Sequence, residues 1–73
     1  MAQEFDKILA FLRKSNNPAA DQAIGSALLC ARESQITPLV QSLLDRGKDD
    51  GIAYAIRMYH KIDPAQRQEL IDR

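Results

Sequence analysis

The sequence predicts an all-α protein, a compact bundle of four to five short helices arranged as αα-hairpins. Apolar residues recur at helical spacing along the chain, and no segment alternates apolar and polar residues as a half-buried strand would. Each of three prolines also follows a residue type that caps helices, in Asn17-Pro18, Thr37-Pro38 and Asp63-Pro64. At 73 residues the chain is expected to form one helical domain, residues 1–73.

The first helix is expected from Ala2 to about Lys14. Acidic residues near its start and basic residues near its end complement the helix dipole. Phe11 lies off the centre of the apolar stripe, so it either widens the buried face or remains as exposed apolar surface. The stripe itself has spacing i, i+3, i+4 and i+7 and consists of Phe5, Ile8, Leu9 and Leu12.

The second helix is expected to begin with Asn17 as its cap and Pro18 at its first position, and to run to roughly Glu33. We expect it to be central, because Leu29 and Cys30 extend its apolar surface and its small residues allow neighbours to approach closely. Cys30 is interpreted as a small buried apolar filler. The principal stripe consists of Ala20, Ala23, Ile24, Ala27, Leu28 and Ala31.

The third helix is expected to begin at Pro38, with Thr37 as its cap. It is expected to end just before Gly47, which would adopt a left-handed backbone conformation. Asp49 or Asp50 is expected to cap the fourth helix. The inward residues of the third helix are Leu39, Val40, Leu43 and Leu44. The main stripe of the fourth consists of Ile52, Ala55, Ile56, Tyr59 and Ile62 or its neighbour, and a second apolar line consists of Tyr54 and Met58.

A short fifth helix through Leu70 and Ile71 is expected after the segment Asp63-Pro64-Ala65-Gln66. This segment has the form of a capping box, in which Asp63 accepts from the backbone and Gln66 reaches back.

Composition restricts the classes of function. Ten basic and ten acidic residues cancel, which disfavours binding to nucleic acid or to an anionic membrane, and no apolar run is long enough to span a bilayer. The single cysteine excludes an intramolecular disulfide, and the N-terminus lacks the basic and apolar regions of a secretion signal. We therefore expect a cytoplasmic protein without a membrane partner.

The sequence predicts neither an enzyme nor a cofactor or metal site. Cys30 and His60 are the obvious nucleophile and neutral-range base, but nothing in the sequence places them together. They are too few for a zinc site, and Asp45, Asp49 and Asp50 lack the spacing of a calcium loop. The glycines are isolated, so no phosphate-binding loop is predicted.

The stretch from residue 36 to residue 62 resembles one helical hairpin of the HEAT type. The resemblance implies a hairpin whose first helix opens with Pro38, with an acidic residue in the turn and apolar residues lining the second helix. It departs from the HEAT pattern at Ala53, where Arg is usual, and in a longer connection. The matching residues are Ile36, Thr37, Pro38, Leu39, Val40, Leu43, Leu44, Asp45, Ile52, Ala55, Ile56 and Ile62.

A DNA-binding helix-turn-helix is an alternative interpretation. Its recognition helix would run from Asp50 to Lys61 and carry Tyr54, Arg57, His60 and Lys61. Against this hypothesis, the connection from Asp45 to Asp50 is longer than the usual turn, and two acids at the helix start would meet DNA phosphates unfavourably.

The predicted function is that of a small non-enzymatic interaction module, an adaptor, regulator or inhibitor. It would bind another protein, or itself as a homodimer, through an apolar helix face. In the alternative, the extra apolar lines are all buried within the bundle. The expected binding residues are Tyr54, Arg57, Met58 and Lys61, with Phe11 and Leu29 as secondary choices.

Overall fold

The structure is a computed structural model that describes residues 2–72, with side chains described from Glu4 onward. These residues confirm the all-α class, since they form five α-helices and a 3-10 turn and contain no strand. The helices are α1 (Ala2–Lys14), α2 (Ala19–Leu29), α3 (Glu33–Arg46), α4 (Asp49–Arg57) and α5 (Pro64–Ile71), and the 3-10 turn is Tyr59–Lys61.

The second helix is central, as the sequence predicts, because α2 packs against α1, α3 and α4. Helix α5 packs on α3. Gly51 lies beside Asp21 and Gly25 lies beside Tyr54, so α2 and α4 run in the same direction. The buried apolar core consists of Leu9, Ala20, Ile24, Leu28, Ile36, Leu39, Val40, Leu43, Leu44, Ala55 and Ile62. All four inward residues predicted for the third helix belong to it.

The boundary between α2 and α3 differs from the prediction. Helix α2 ends at Leu29, after which the amides of Cys30 and Ala31 bond three residues back and Arg32 is extended. Helix α3 then begins at Glu33, where the Gln35 side chain accepts from the Arg32 amide at 3.2 Å. Pro38 is therefore inside α3, not at its start, and the prediction that Thr37 caps this helix was wrong. A proline at this position donates no hydrogen bond to the carbonyl four residues earlier, and its ring crowds that carbonyl.

The predicted helix ends are correct at three other points. Asn17 Oδ1 accepts from the Ala19 amide at 2.9 Å and so bonds the start of the second helix, although the residue directly before α2 is Pro18, whose backbone is already helical. Gly47 is left-handed with φ of 66°, and its amide donates to the Leu43 carbonyl. Asp63 caps α5, where its Oδ1 accepts from the Ala65 amide at 2.9 Å. In each case a short side chain or a glycine completes hydrogen bonds that the helix end leaves unmade.

Two predicted caps were wrong. Asp49 and Asp50 lie in the first turn of α4, whose cap position is Lys48, so they favour the helix dipole without capping a backbone amide. Gln66 does not reach back to Asp63. It is buried, and its Nε2 donates to the Thr37 carbonyl at 2.9 Å and to Gln41 Oε1 at 3.2 Å, which joins α5 to α3.

The connection from α3 to α4 contains only Gly47 and Lys48, which is shorter than predicted. The fourth helix also ends earlier than predicted, at Arg57. Beyond it, Arg67 donates to the carbonyls of His60 and Ile62 at 2.8 and 2.9 Å. These bonds satisfy carbonyls beyond the end of α4 that have no partner within a helix.

Several residues assigned to buried stripes are exposed. Ile8 and Ile56 are 60% and 59% exposed, because the buried face of α1 centres on Leu9 and that of α4 centres on Ala55. Cys30 is exposed at the end of α2, which contradicts its interpretation as a buried filler. Ala23 and Ala27 are exposed as well. In each helix the apolar pattern is wider than the face that the neighbouring helices cover.

Candidate functional site

The structure places three of the expected binding residues along one junction, the α2–α4 seam, which we define by Gly25, Leu29, Tyr54 and Met58. Tyr54 is half-buried and lies directly on Gly25, where an added Cβ atom would overlap its ring. Because the two helices run in the same direction, the next turn places Leu29 and Met58 at corresponding positions. Leu29 is 46% exposed, whereas Met58 is half-buried and packs against the core.

Arg57 lies on the outer side of the seam. Its guanidinium is above the Tyr54 ring, 5.5 Å from the ring centroid, in cation–π geometry. The two side chains border a shallow depression of about 240 Å³ that is completed by Gln22, Asp50 and Ala53. The depression is open and mostly polar in its lining side chains, so it offers a charged rim rather than an apolar anchor point.

Lys61 is separated from the other residues of the predicted face. It lies in the 3-10 turn beside His60, and these two residues border a different depression, together with Ala31, Glu33 and Ile36. The early end of α4 causes this separation, since a continuous helix would have kept Lys61 one turn beyond Arg57.

Phe11 belongs to a second surface, the α1 face, which we define by Ile8, Phe11 and the groove beside them. Phe11 is 74% exposed, the largest exposure among the large apolar side chains of residues 4–72. The groove has a volume of about 240 Å³, and all of its lining residues are apolar: Phe5, Ile8, Leu9, Leu12, Ala27 and Leu39. An apolar groove lined by the exposed Ile8, with the exposed Phe11 three residues along the same helix, suits an apolar ligand surface.

The two surfaces lie on different sides of α2. Ala27 of α2 lines the α1 groove, whereas Gly25 of the same helix contacts Tyr54 of α4. Positions i and i+2 of an α-helix, such as Gly25 and Ala27, are about 160° apart around the helix axis. The residues that the sequence grouped into one expected interface therefore form two surfaces, and a flat partner could not contact both at once.

A buried cation fixes the end of α1 and so supports the α1 face. Arg46 forms an ion pair with Asp21, with 2.7 Å between Nε and Oδ1, and both side chains are more than nine-tenths buried. The same guanidinium donates to the carbonyls of Leu12 and Ser15 at 2.7 and 2.6 Å. One side chain of α3 thus holds the last turn of α1, the following loop and the first turn of α2.

The ion pair also determines the charge state of Asp21. Hydrogen bonds from Arg46 lower the pKa of the Asp21 carboxyl, and this effect exceeds the opposing effect of burial. Sequence reasoning missed the pair, because Asp21 in a first helical turn and Arg46 in a last turn are both explained by the helix dipole. Their separation of 25 residues gave no signal that they meet.

The described residues do not assemble a catalytic or metal-binding cluster. Cys30 and His60 are both exposed, and no hydrogen bond joins them in the described part of the chain. Within residues 2–72, no three His, Cys, Asp or Glu residues converge as a metal site requires.

One observation supports the helix-turn-helix alternative and two oppose it. The two-residue connection of α3 and α4 removes the objection that the turn is too long. The proposed recognition helix, however, is shorter than predicted, and Asp49 and Asp50 are exposed in its first turn, where phosphates would approach. The same two helices form the hairpin that resembles a HEAT unit, with Pro38 inside the first helix rather than opening it.

Comparison with models of protein families, with curated proteins and with solved structures finds no match to this chain. Among the described residues, none of the helices combines the length and apolar character that crossing a membrane requires.

Proposed function

We propose that this chain is a small, non-enzymatic protein-interaction module that binds through its α1 face. The exposure of Phe11 carries the proposal. A phenylalanine has roughly 200 Å² of surface, of which about 150 Å² remains in water here. At about 25 cal/mol per Å², covering it would contribute about 4 kcal/mol, from which the costs of association are subtracted.

The α1 face is favoured over the α2–α4 seam because its apolar side chains are exposed and free to contact a partner. Tyr54 and Met58 already pack within the bundle, so a partner that engaged them would contact only their outer edges. Ile8 and Phe11 contribute little to the core, and the groove beside them is open. The exposed seam residues Arg57 and Leu29 remain candidates for a secondary contact.

Charged residues border the α1 face. Glu4 lies one turn before Ile8 on the same line of the helix, while Lys7 and Lys14 lie one turn before and one turn after Phe11. All three side chains are exposed. Apolar anchors surrounded by a charged rim are typical of helix faces that bind other proteins.

The proposal is tested with an Ile8→Ser/Phe11→Ser variant and a matched control, Ile71→Ser. Ile71 is 64% exposed, but it belongs to α5. Each protein is immobilised and incubated with lysate, and self-association of each is measured by sedimentation equilibrium. We expect wild type and control to bind the same protein, or to self-associate, and the α1 variant to lose that binding. Thermal unfolding of all three should agree within about 0.5 kcal/mol, since the changed residues are exposed.

Two results would overturn the proposal. One is binding that survives in the α1 variant and is lost in the control. The other is the absence of any captured protein or self-association that depends on Ile8 and Phe11. If the α1 variant unfolds, Ile8 and Phe11 contribute to the core. The single substitution Phe11→Gln, which keeps a long side chain, then replaces the double variant in the binding test.

A further inference from the structure

The charges on the α1 face are arranged asymmetrically along the helix. Glu4 is near the N-terminal end of the face, and Lys14 is near the C-terminal end. Neither forms an ion pair with another described residue, whereas the neighbouring Arg13 is paired with Asp45 of α3. The exposed face therefore has an acid at one end, a base at the other, and Ile8 and Phe11 between them.

From this arrangement we infer that the α1 face binds the α1 face of a second copy of the chain, with the two helices antiparallel. The inference rests on the proposed function and specifies the partner. A two-fold axis midway between Ile8 and Phe11 places Ile8 of each copy against Phe11 of the other. At a rise of 1.5 Å per residue, Glu4 then lies about 8 Å from the axis and Lys14 of the second copy about 7 Å, on the same side. Two Glu4–Lys14 ion pairs flank the apolar centre.

The parallel arrangement is disfavoured by the same charges. It would place Glu4 beside Glu4 and Lys14 beside Lys14, so like charges would meet at both ends of the interface. Antiparallel helices also align their dipoles favourably. One contact opposes the antiparallel dimer, because Lys7 lies about 3 Å along the axis from Lys14 of the other copy, on the same flank.

The available area indicates weak association. Ile8 and Phe11 together expose about 250 Å² of apolar surface, whereas a stable interface buries about 800 Å² per partner. The groove beside them adds the flank of the second helix. We therefore expect association that is detectable only at high protein concentration, with the monomer folded on its own.

The experiment is sedimentation equilibrium of the full chain from 10 μM to 1 mM at low salt, with circular dichroism of the same samples. It compares wild type with Glu4→Lys, with Lys14→Glu, and with the double variant that carries both changes. Glu4→Lys is expected to raise the Kd about threefold to tenfold, because two exposed ion pairs are replaced by repulsion. Lys14→Glu is expected to raise the Kd less, because residue 14 then repels Glu4 but attracts Lys7 of the other copy. The double variant restores opposite charges at each end and keeps the new attraction to Lys7, so we expect its Kd to be no higher than that of wild type.

A fourth variant reports the direction of the helices. Lys7→Glu is expected to lower the Kd in the antiparallel dimer, because it replaces the repulsion between Lys7 and Lys14 with attraction. In a parallel dimer residue 7 would face its own copy, so the same variant would not strengthen association. High salt is expected to reduce all of these differences.

The outcomes separate this inference from the proposed function. A wild-type monomer at 1 mM would overturn the dimer, and the proposed function would stand if another protein still bound in an Ile8- and Phe11-dependent manner. A dimer that Glu4→Lys does not weaken would overturn the antiparallel geometry. A monomer that also captures no protein through the α1 face would overturn both.

Discussion

Helices α1 and α4 have apolar patterns of similar width, and each leaves one isoleucine about 60% exposed, Ile8 on α1 and Ile56 on α4. The second apolar line of α4, however, is half-buried, whereas that of α1 faces solvent. On α4, Ala55 is fully buried, and half-buried Ile52 lies on one side of it while half-buried Tyr54 and Met58 lie on the other. On α1, the line through Leu9 is buried, and the line through Ile8 and Phe11 faces solvent. The sequence pattern of a helix therefore shows how much of its surface is apolar, but not how much is enclosed.

The difference arises from the residues that face each helix. Gly25 of α2 receives the Tyr54 ring, and Gly51 brings α4 close to α2 and α3, since a Cβ there would lie 2.9 Å from Leu43 and 3.2 Å from Asp21. The lack of a side chain at these two glycines allows α4 to pack closely against α2 and α3. Helix α1 has no such glycine along its packed side in residues 4–14, and a hydrogen-bonded cation, Arg46, holds its C-terminal end instead.

Arg46→Met should have the largest effect on stability. It removes the guanidinium that bonds the C-terminal end of α1, while the methionine keeps an apolar side chain of similar length. Asp21 would be left as a buried unpaired carboxylate, and the carbonyls of Leu12 and Ser15 would lose their donor. Breaking a buried ion pair costs about 3 to 5 kcal/mol. In a domain of this size that loss is comparable to the total stability, so we expect urea unfolding, followed by far-UV circular dichroism, to show a mostly unfolded chain at 25 °C.

Arg13→Met is the matched control. Arg13 also joins α1 to α3, through Asp45, but both side chains of that pair are about half exposed. Its removal should cost less than about 1 kcal/mol. If Arg46→Met were as stable as Arg13→Met, the cation would not be what anchors α1.

Local sequence features predicted the helices well where a single residue determines the end. Asn17, Gly47 and Asp63 act within two to four residues of the groups they bond, so their roles are readable from the chain. Pro38 misled the prediction because the start of α3 depends on the extended backbone of Arg32 and on the side chain of Gln35, both upstream of the proline.

The candidate site was less predictable, because it depends on contacts that are distant in sequence. Phe11 was identified as off the main stripe, and whether a neighbour covered it required the position of α2. Gly25 and Tyr54 are 29 positions apart in the chain, and only their contact shows that the second apolar line of α4 is packed. The Asp21–Arg46 pair gave no local signal for the same reason.

A double-mutant cycle at Gly25 and Tyr54 sharpens the comparison on the α4 side, with a smaller effect. In the wild-type background Gly25→Ala should cost about 1 to 3 kcal/mol, because the added Cβ overlaps the Tyr54 ring. In a Tyr54→Ala background the ring is absent, and the same change should stabilise the protein by up to about 1 kcal/mol through helix propensity. The measurement is urea unfolding of the four proteins.

The sign change is the diagnostic result of this cycle. Ser26→Ala, at an exposed position next to Gly25, serves as the control and should give the same small effect in both backgrounds. If Gly25→Ala were equally favourable with and without Tyr54, the seam would be loose enough to admit a methyl group, and its residues would again be candidates for binding a partner.

The smallest expected effect is a difference in acid sensitivity between wild type and Asp21→Asn. The pKa of Asp21 is lowered in the folded state, so the folded protein binds fewer protons at this site than the unfolded chain. The stability that Asp21 contributes is therefore fully present above the pKa of about 3.9 that it has in the unfolded chain. It is lost as the pH falls through the lower pKa of the folded state. Asp21→Asn keeps the shape of the side chain and an oxygen that can accept from Arg46, but it cannot titrate and it leaves the Arg46 charge uncompensated, so its stability at pH 6 is expected to be below that of wild type. Urea unfolding at pH 6 and at pH 3 should show wild type losing more stability than the variant, and an equal loss in both would mean that Asp21 titrates normally. Because this pair holds the end of α1, the extra loss in wild type would show that α1 depends on a charge, whereas α4 is held by close packing.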